Sequence, residues 1–96
     1  MAHYKLSPLA QEDIKAIKSY SNDRWGKDKT TLYLSNLRQR MQWLADNPQL
    51  GLVRDDVKDG YYSLFEGEHT IFYRIVEKNI EIISILHQRM DVKKHL

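Results

Sequence analysis

Residues 61 to 87 read YYSLFEGEHTIFYRIVEKNIEIISILH, three runs rich in β-branched and aromatic side chains. Short turns separate the runs, the first at Gly67-Glu68 and the second at Glu77-Lys78-Asn79. Because tight turns of this kind join neighbouring strands, the pattern predicts an antiparallel meander of YYSLFE, HTIFYRIV and IEIISILH. The last run has apolar side chains on both faces, at Ile82, Ile83, Ile85 and Leu86. We therefore expect a central strand that a layer of helices covers.

The sequence before this meander predicts two helices. Ser7-Pro8 combines a hydroxyl N-cap with a proline at the first helical position, and a glycine suited to a C-cap follows at Trp25-Gly26. A second helix is expected from Lys27 to Asn47, since the residue before Pro48 avoids helical angles. The apolar stripes are Ala10, Ile14, Ile17 and Tyr20 or Ser21 in the first helix, and Leu34, Leu37, Met41 and Leu44 in the second. The short turn between the helices predicts an antiparallel hairpin.

These elements predict an α+β fold with the order β-α-α-β-β-β. His3 to Leu6 supplies a short N-terminal strand, and the two-helix hairpin packs on a small antiparallel β-sheet. The segment from Pro48 to Gly60, PQLGLVRDDVKDG, has no clear periodicity and is predicted to be a loop. A short C-terminal tail follows the last strand. With 96 residues, the chain has room for a single domain, residues 1 to 96.

Composition narrows the class of protein. With 42% hydrophobic and 29% charged residues, the chain has the composition of an ordinary globular domain. The absence of cysteine excludes disulfides and thiolate metal sites, and a reducing cytoplasm fits best. The N-terminal residues lack the apolar core of a signal peptide, and no run approaches the roughly 20 apolar residues that cross a bilayer. A net charge of +2 permits an acidic partner without predicting nucleic-acid binding.

Two sets of side chains contain the residue types of a chemical site. His69, His87 and His95 with Asp91 contain ligand types for a metal, but their spacing matches no specific zinc motif, so we expect no metal. A second set resembles what surrounds a phosphate during RNA cleavage: Arg54, His69, Arg74, His87 and Arg89. For Arg74 an equally good interpretation is a solvent-facing side chain or an ion pair with a carboxylate from the loop.

The aromatic side chains suit base stacking or a partner peptide, although most aromatics at helical spacing are core. Trp43 lies off the apolar stripe of the second helix, so we expect it to be partly exposed. The sequence contains no GxGxxG, P-loop, GxSxG or HExxH motif, and we expect no cofactor.

Five stretches in register resemble one family: YKLSPLAQEDI, WG, ADNPQLG, HTIFYR and IEIISILHQRMD. Their order and spacing are similar to those of the ParE toxins, within the RelE/ParE superfamily of bacterial toxin-antitoxin modules. The likeness spans nearly the whole chain. Many ParE-like chains resemble GLRS where this chain has Gly60-Tyr61-Tyr62-Ser63, so any role of an arginine at that place does not transfer to Tyr62.

The resemblance implies a toxin that poisons DNA gyrase without hydrolysing a substrate and that a ParD-like antitoxin neutralises in a hetero-oligomer. It implies that the region after the last strand contacts the target, which makes Arg89, Met90, Asp91 and His95 the candidate residues there. For the antitoxin, the candidate contacts are Arg54, Arg74 and Trp43. The alternative within the superfamily is a ribosome-dependent mRNA interferase of RelE type, which His87 and Arg89 keep open.

Overall fold

A computed structural model describes residues 2 to 96 and contains the predicted helical hairpin. Helix α1 spans Pro8–Trp25 and helix α2 spans Lys27–Asp46. The Ser7 hydroxyl oxygen accepts a hydrogen bond from the Ala10 N–H at 3.0 Å and donates to the Ile83 carbonyl at 2.7 Å. The predicted N-cap is therefore confirmed, and it also fixes the start of α1 to the sheet. Of the two residues expected to end the apolar stripe of α1, Ser21 is buried and Tyr20 is exposed.

The sheet contains five strands in the order β1-β5-β4-β3-β2. Their bounds are Tyr4–Leu6 for β1, Leu52–Val53 for β2, Tyr61–Glu66 for β3, His69–Val76 for β4 and Asn79–His87 for β5. The predicted α+β fold and the meander of β3, β4 and β5 are confirmed. Strand β1 pairs with β5 in parallel, which makes this the one parallel pair among the described strands.

Strand β2 lies inside the segment that was predicted to be a loop, so that prediction was wrong at Leu52–Val53. Leu52 is opposite Ser63 and Val53 is opposite Tyr62, and the Arg54 N–H extends the pairing by donating to the Tyr61 carbonyl at 2.8 Å. Two residues are too few to show an alternating pattern. Both side chains of β2 are exposed at one edge of the sheet.

The core lies between the helical hairpin and one face of the sheet. From β4 and β5 it includes Ile71, Tyr73, Ile80, Ile82 and Ile85. Burial raises the pKa of the Tyr73 hydroxyl to about 12. This hydroxyl donates to the Pro48 carbonyl at 2.9 Å and accepts from the Gly51 N–H at 3.0 Å. Tyr73 therefore fastens the connection after α2 to the centre of the sheet.

Phe72 faces away from this core but is fully buried. The Arg54 guanidinium lies over its ring, with 5.3 Å between Cζ and the ring centroid. Arg54 also pairs with Asp56 at 3.0 Å, and this contact lowers the pKa of the Asp56 carboxyl. The segment after β2 thus covers part of the second face of the sheet.

The chain after β5 forms a short helix, α3, at Val92–His95. The Asp91 carboxylate caps it by accepting a hydrogen bond from the Lys93 N–H at 3.0 Å. None of the side chains of α3 is buried. Among residues 2 to 96, no helix has the length and apolar character that a bilayer crossing requires.

Candidate functional site

A cleft of about 470 Å³ opens between α1 and the chain that enters β4 and leaves β5. On one side α1 contributes Ile17 and Arg24, and on the other the chain contributes Glu68, His87 and Met90, among others. The floor is apolar and the rim is charged. The target-contact candidates Arg89 and Met90 belong to this rim.

Tyr33 of α2 holds the turn between β3 and β4. Its hydroxyl oxygen accepts from the Glu68 N–H at 3.0 Å, and it hydrogen-bonds to the Glu66 carbonyl at 3.1 Å and to His69 Nδ1 at 2.6 Å. Burial raises the pKa of this hydroxyl. Gly67, with a φ of +60°, lies against the same ring, and a Cβ there would be 2.4 Å from Tyr33 Cε1. The turn therefore accepts only glycine at this position.

His69 lines the cleft at its buried side as a neutral imidazole. Burial, with a smaller contribution from the nearby His87, lowers its pKa from 6.5 to about 4. The two imidazole rings meet edge to face, with 5.3 Å between their centroids. Because His69 is 5% exposed and already bonded to Tyr33, it supports the turn and is poorly placed to exchange protons with a substrate.

His87 fixes the chain that leaves β5. Its Nδ1 accepts from the Arg89 N–H at 3.1 Å, and its carbonyl accepts from the Met90 N–H at 2.9 Å. The Gln88 N–H donates to the Glu68 carbonyl at 2.9 Å. Since Nδ1 is an acceptor, the neutral ring carries its proton on Nε2, which lies 3.8 Å from the Glu68 carboxylate. The β3–β4 turn thus orients Arg89 and Met90.

The carboxylates of the cleft already have partners. Asp13 Oδ2 accepts from the Ser84 hydroxyl at 2.6 Å and from the Ile85 N–H at 2.9 Å. The Arg24 guanidinium reaches Glu68 at 3.4 Å and lies over the ring of Trp25. Sequence reasoning missed Asp13, Arg24 and Glu68, because no local pattern indicates contacts that join residues 44 to 72 positions apart.

The remaining target-contact candidates lie in α3 or at its start. Asp91 is its cap, and His95 is exposed in its last turn. Arg89 and Met90 are therefore brought together in the cleft, whereas Asp91 has a structural partner of its own.

The three candidate contacts for the antitoxin, Arg54, Arg74 and Trp43, lie outside the cleft. Arg74 pairs with Glu81 at 2.8 Å, so its carboxylate partner comes from the neighbouring strand and not from the loop. Arg54 is bound to Asp56. Trp43 is 36% exposed, which confirms the predicted partial exposure, and the Arg40 guanidinium lies 5.1 Å from its ring centroid.

The two candidate chemical sets are only partly assembled. His69, His87 and Arg89 share the cleft, while Arg54 and Arg74 are paired with carboxylates elsewhere. Within residues 2 to 96, no three histidine, aspartate or glutamate side chains are arranged to hold a metal ion.

The family model and the sequence relatives agree on one family. Residues 4–92 match the model of the ParE toxin of type II toxin-antitoxin systems, parDE. The chain is 41% identical to Toxin ParE1 of Mycobacterium tuberculosis over 96 residues, which cover 99% of this chain and 98% of that protein. It is 34% identical to Toxin ParE1 of Caulobacter vibrioides over 96 residues, which cover 100% of this chain and 99% of that one.

Solved structures show the same fold at lower identity. One is a chromosomal ParDE system from P. aeruginosa, with a TM-score of 0.76, 20% identity, and coverage of 91% of this chain and 96% of that chain. Another is the YoeB-YefM toxin-antitoxin complex from Staphylococcus aureus, with a TM-score of 0.61, 21% identity, and coverage of 92% and 98%.

Proposed function

Because the chain belongs to the ParE toxin family of type II toxin-antitoxin systems, we propose that it inhibits DNA gyrase by direct contact and that a ParD-like antitoxin neutralises it. The proposed site of action is the cytoplasm, where gyrase works. The proposed mechanism needs no catalytic group.

The presentation of Arg89 and Met90 is the observation that carries the proposal. Hydrogen bonds to His87 and Glu68 hold the backbone of this segment, while the Met90 side chain remains 46% exposed. A guanidinium beside a flexible apolar side chain suits a protein surface, and a fixed backbone lowers the entropy that binding costs. Asp91 and His95 extend the proposed contact into α3.

Truncation after Gln88 tests the proposal. It removes no buried side chain, so we expect a folded protein that a ParD-like antitoxin still binds. It should no longer inhibit supercoiling by purified gyrase. A fall in melting temperature that parallels the lost inhibition would instead show that the segment serves mainly to stabilise the fold.

For the antitoxin, we propose an amphipathic segment laid across the helical hairpin and the sheet edge, with contacts at Arg54, Arg74 and Trp43. The partly exposed ring of Trp43 suits an apolar anchor. Reversing the charge in Arg74→Glu should weaken the complex by roughly 2 kcal/mol if that contact is desolvated and by much less at a rim. Unchanged affinity in both Arg74→Glu and Arg54→Glu would remove these arginines from the interface.

The second candidate function is a ribosome-dependent mRNA interferase of RelE type, because His87 and Arg89 share the cleft. Against it, β3 contains no lysine or arginine, and no tyrosine follows Tyr73 in the sequence. We expect messenger RNA to stay intact when the purified protein is added to a translating extract. Cleavage on ribosomes that disappears in His87→Ala would favour the nuclease.

A further inference from the structure

We propose that residues 91–96, which are α3 with its two caps, form a hinged lid over an apolar strip on the second face of the sheet, and that the proposed target engages the protein when this lid is open. The lid itself does not depend on the identity of the target. Its part in target binding rests on the proposed function.

The strip lies on the face of the sheet that the helical hairpin does not cover, and it consists of Ser63, Thr70, Phe72 and Leu86. Ser63 is opposite Phe72 and Thr70 is opposite Leu86, and side chains at opposed positions share a face. Thr70 and Phe72 are two positions apart in β4, so all four side chains lie on the same side. Phe72 and Leu86 are 0% and 3% exposed, although neither belongs to the core cluster under the helices. Another part of the chain therefore covers this face.

Arg54 covers one end of the strip. Its guanidinium lies over the ring of Phe72 and donates to the Ser63 hydroxyl at 3.3 Å. Leu86 lies on the neighbouring strand, one residue before β5 ends at His87. The chain that leaves β5 is therefore the nearest segment that can cover the other end.

The lid has one apolar side and one basic side. Val92 and Leu96, one helical turn apart, are partly buried, whereas the three basic side chains between them are exposed. The lid also lies near the segment after β2: hydrogen bonding to Arg54 is the main cause of the low pKa of the Asp56 carboxyl, and the Lys93 ammonium lowers this pKa further. Val92 and Leu96 are thus the side chains that rest on the strip.

Hydrogen bonds hold the stem of this segment but not the lid. The Arg89 and Met90 N–H groups are bonded to His87. Among residues 2 to 96, the hydrogen bonds of the lid all lie within the lid, and none of the ion pairs includes it. A helix of a single turn is not stable by itself, so only apolar contact and unpaired charge keep the lid closed. The hinge lies between Met90 and Asp91, and opening leaves the stem in place.

An open lid offers a partner more than a closed one. While the lid is closed, its apolar side faces the strip, and a partner meets only its charged side. The centre of a protein interface is apolar, so the contact at Asp91 and His95 gains a core only after Val92 and Leu96 are released. The proposed target therefore binds the open form, and closure lowers its apparent affinity in proportion to the fraction of closed molecules.

Thiol labelling measures the lid, because the chain contains no cysteine. Leu86→Cys and Ile85→Cys place thiols at adjacent buried positions, the first on the strip and the second in the core. Val92→Ser combined with Leu96→Ser removes the apolar side of the lid and leaves every candidate target contact unchanged. The double change should speed maleimide labelling of Leu86→Cys by about tenfold or more and that of Ile85→Cys by less than about twofold. Lys94→Ser, on the exposed side of the lid, should change neither rate.

The same double change, in a chain without added cysteine, tests the link to the target. Labelling and target binding both depend on the open fraction, so the concentration that half-inhibits supercoiling by purified gyrase should fall by about the factor by which labelling of Leu86→Cys rises. Unchanged labelling of Leu86→Cys would overturn the lid, and so would equal acceleration at Ile85→Cys, because the whole fold would then have loosened. Faster labelling of Leu86→Cys alone, without stronger inhibition, would overturn the part of the lid in target binding. If the unaltered chain does not inhibit gyrase, the proposed function fails, and the labelling rates still decide whether the lid exists.

Discussion

Removing the Tyr33 hydroxyl should destabilise the turn that supports the cleft. Tyr33→Phe keeps the ring, which packs 5.6 Å from Trp25 and 5.5 Å from His69, so the change isolates the hydroxyl. Three groups lose a partner: the Glu68 N–H, the Glu66 carbonyl and His69 Nδ1. A buried group without a partner costs about 1–3 kcal/mol, and partial solvation of this turn lowers the sum to about 2–3 kcal/mol.

Urea unfolding followed by tryptophan fluorescence measures this free energy of unfolding directly. For a domain of this size, the same loss corresponds to a melting temperature lower by roughly 10–20 °C. Tyr61→Phe is the matched control, since the Tyr61 hydroxyl has no hydrogen-bond partner within the described part of the chain, residues 2 to 96. A loss below about 0.5 kcal/mol, or an equal loss in the control, would refute the assigned role of the hydroxyl.

Gly51→Ala brings a Cβ into the Tyr73 hydroxyl oxygen, so it should lower the free energy of unfolding in urea by about 2 kcal/mol or more. The control Gly60→Ala meets only backbone strain and should lower it by about 1 kcal/mol. Folding lowers the pKa of His69 from 6.5 to about 4, so between these two pH values the unfolded chain binds a proton that the folded chain does not. The free energy of unfolding should therefore decline by up to about 3 kcal/mol as the pH falls from 6.5 to about 4. A His69→Gln variant should show a shallower decline over the same pH range. Arg74→Gln removes a half-exposed ion pair and should change thermal stability by less than about 1 kcal/mol, and a larger change would indicate a buried role for that pair.

The helices were predictable because their signals are local. Ser7-Pro8 and Trp25-Gly26 bound α1 as the sequence indicates, and Asn47 before Pro48 ends α2. The meander was equally accessible, since its turns separate clearly alternating or apolar runs. Each of these elements is specified by residues within a few positions of one another.

The parallel pairing of β1 and the position of Asp13 were not predictable in the same way. The pairing of β4 with β5 changes register between Phe72 and Tyr73. Close to this irregularity, the backbone N–H of Ile85 in β5 donates a hydrogen bond to the Asp13 carboxylate of α1. A carboxylate in α1 meets that donor only after the helix has packed on the sheet. The charged rim of the cleft has the same origin, since Arg24 and Glu68 meet through tertiary structure alone.

The exposed edge of the sheet bears on how the free protein behaves in solution. Leu52 and Val53 of β2 are exposed by 67% and 57%, and Leu50 just before them by 61%. Natural edge strands discourage pairing with another chain by being short or by carrying a lysine, a proline or a bulge; β2 is short, but LGLV contains none of the other three. We therefore expect concentrated preparations of the isolated protein to form oligomers through this edge. The substitution Leu52→Lys should keep such preparations monodisperse.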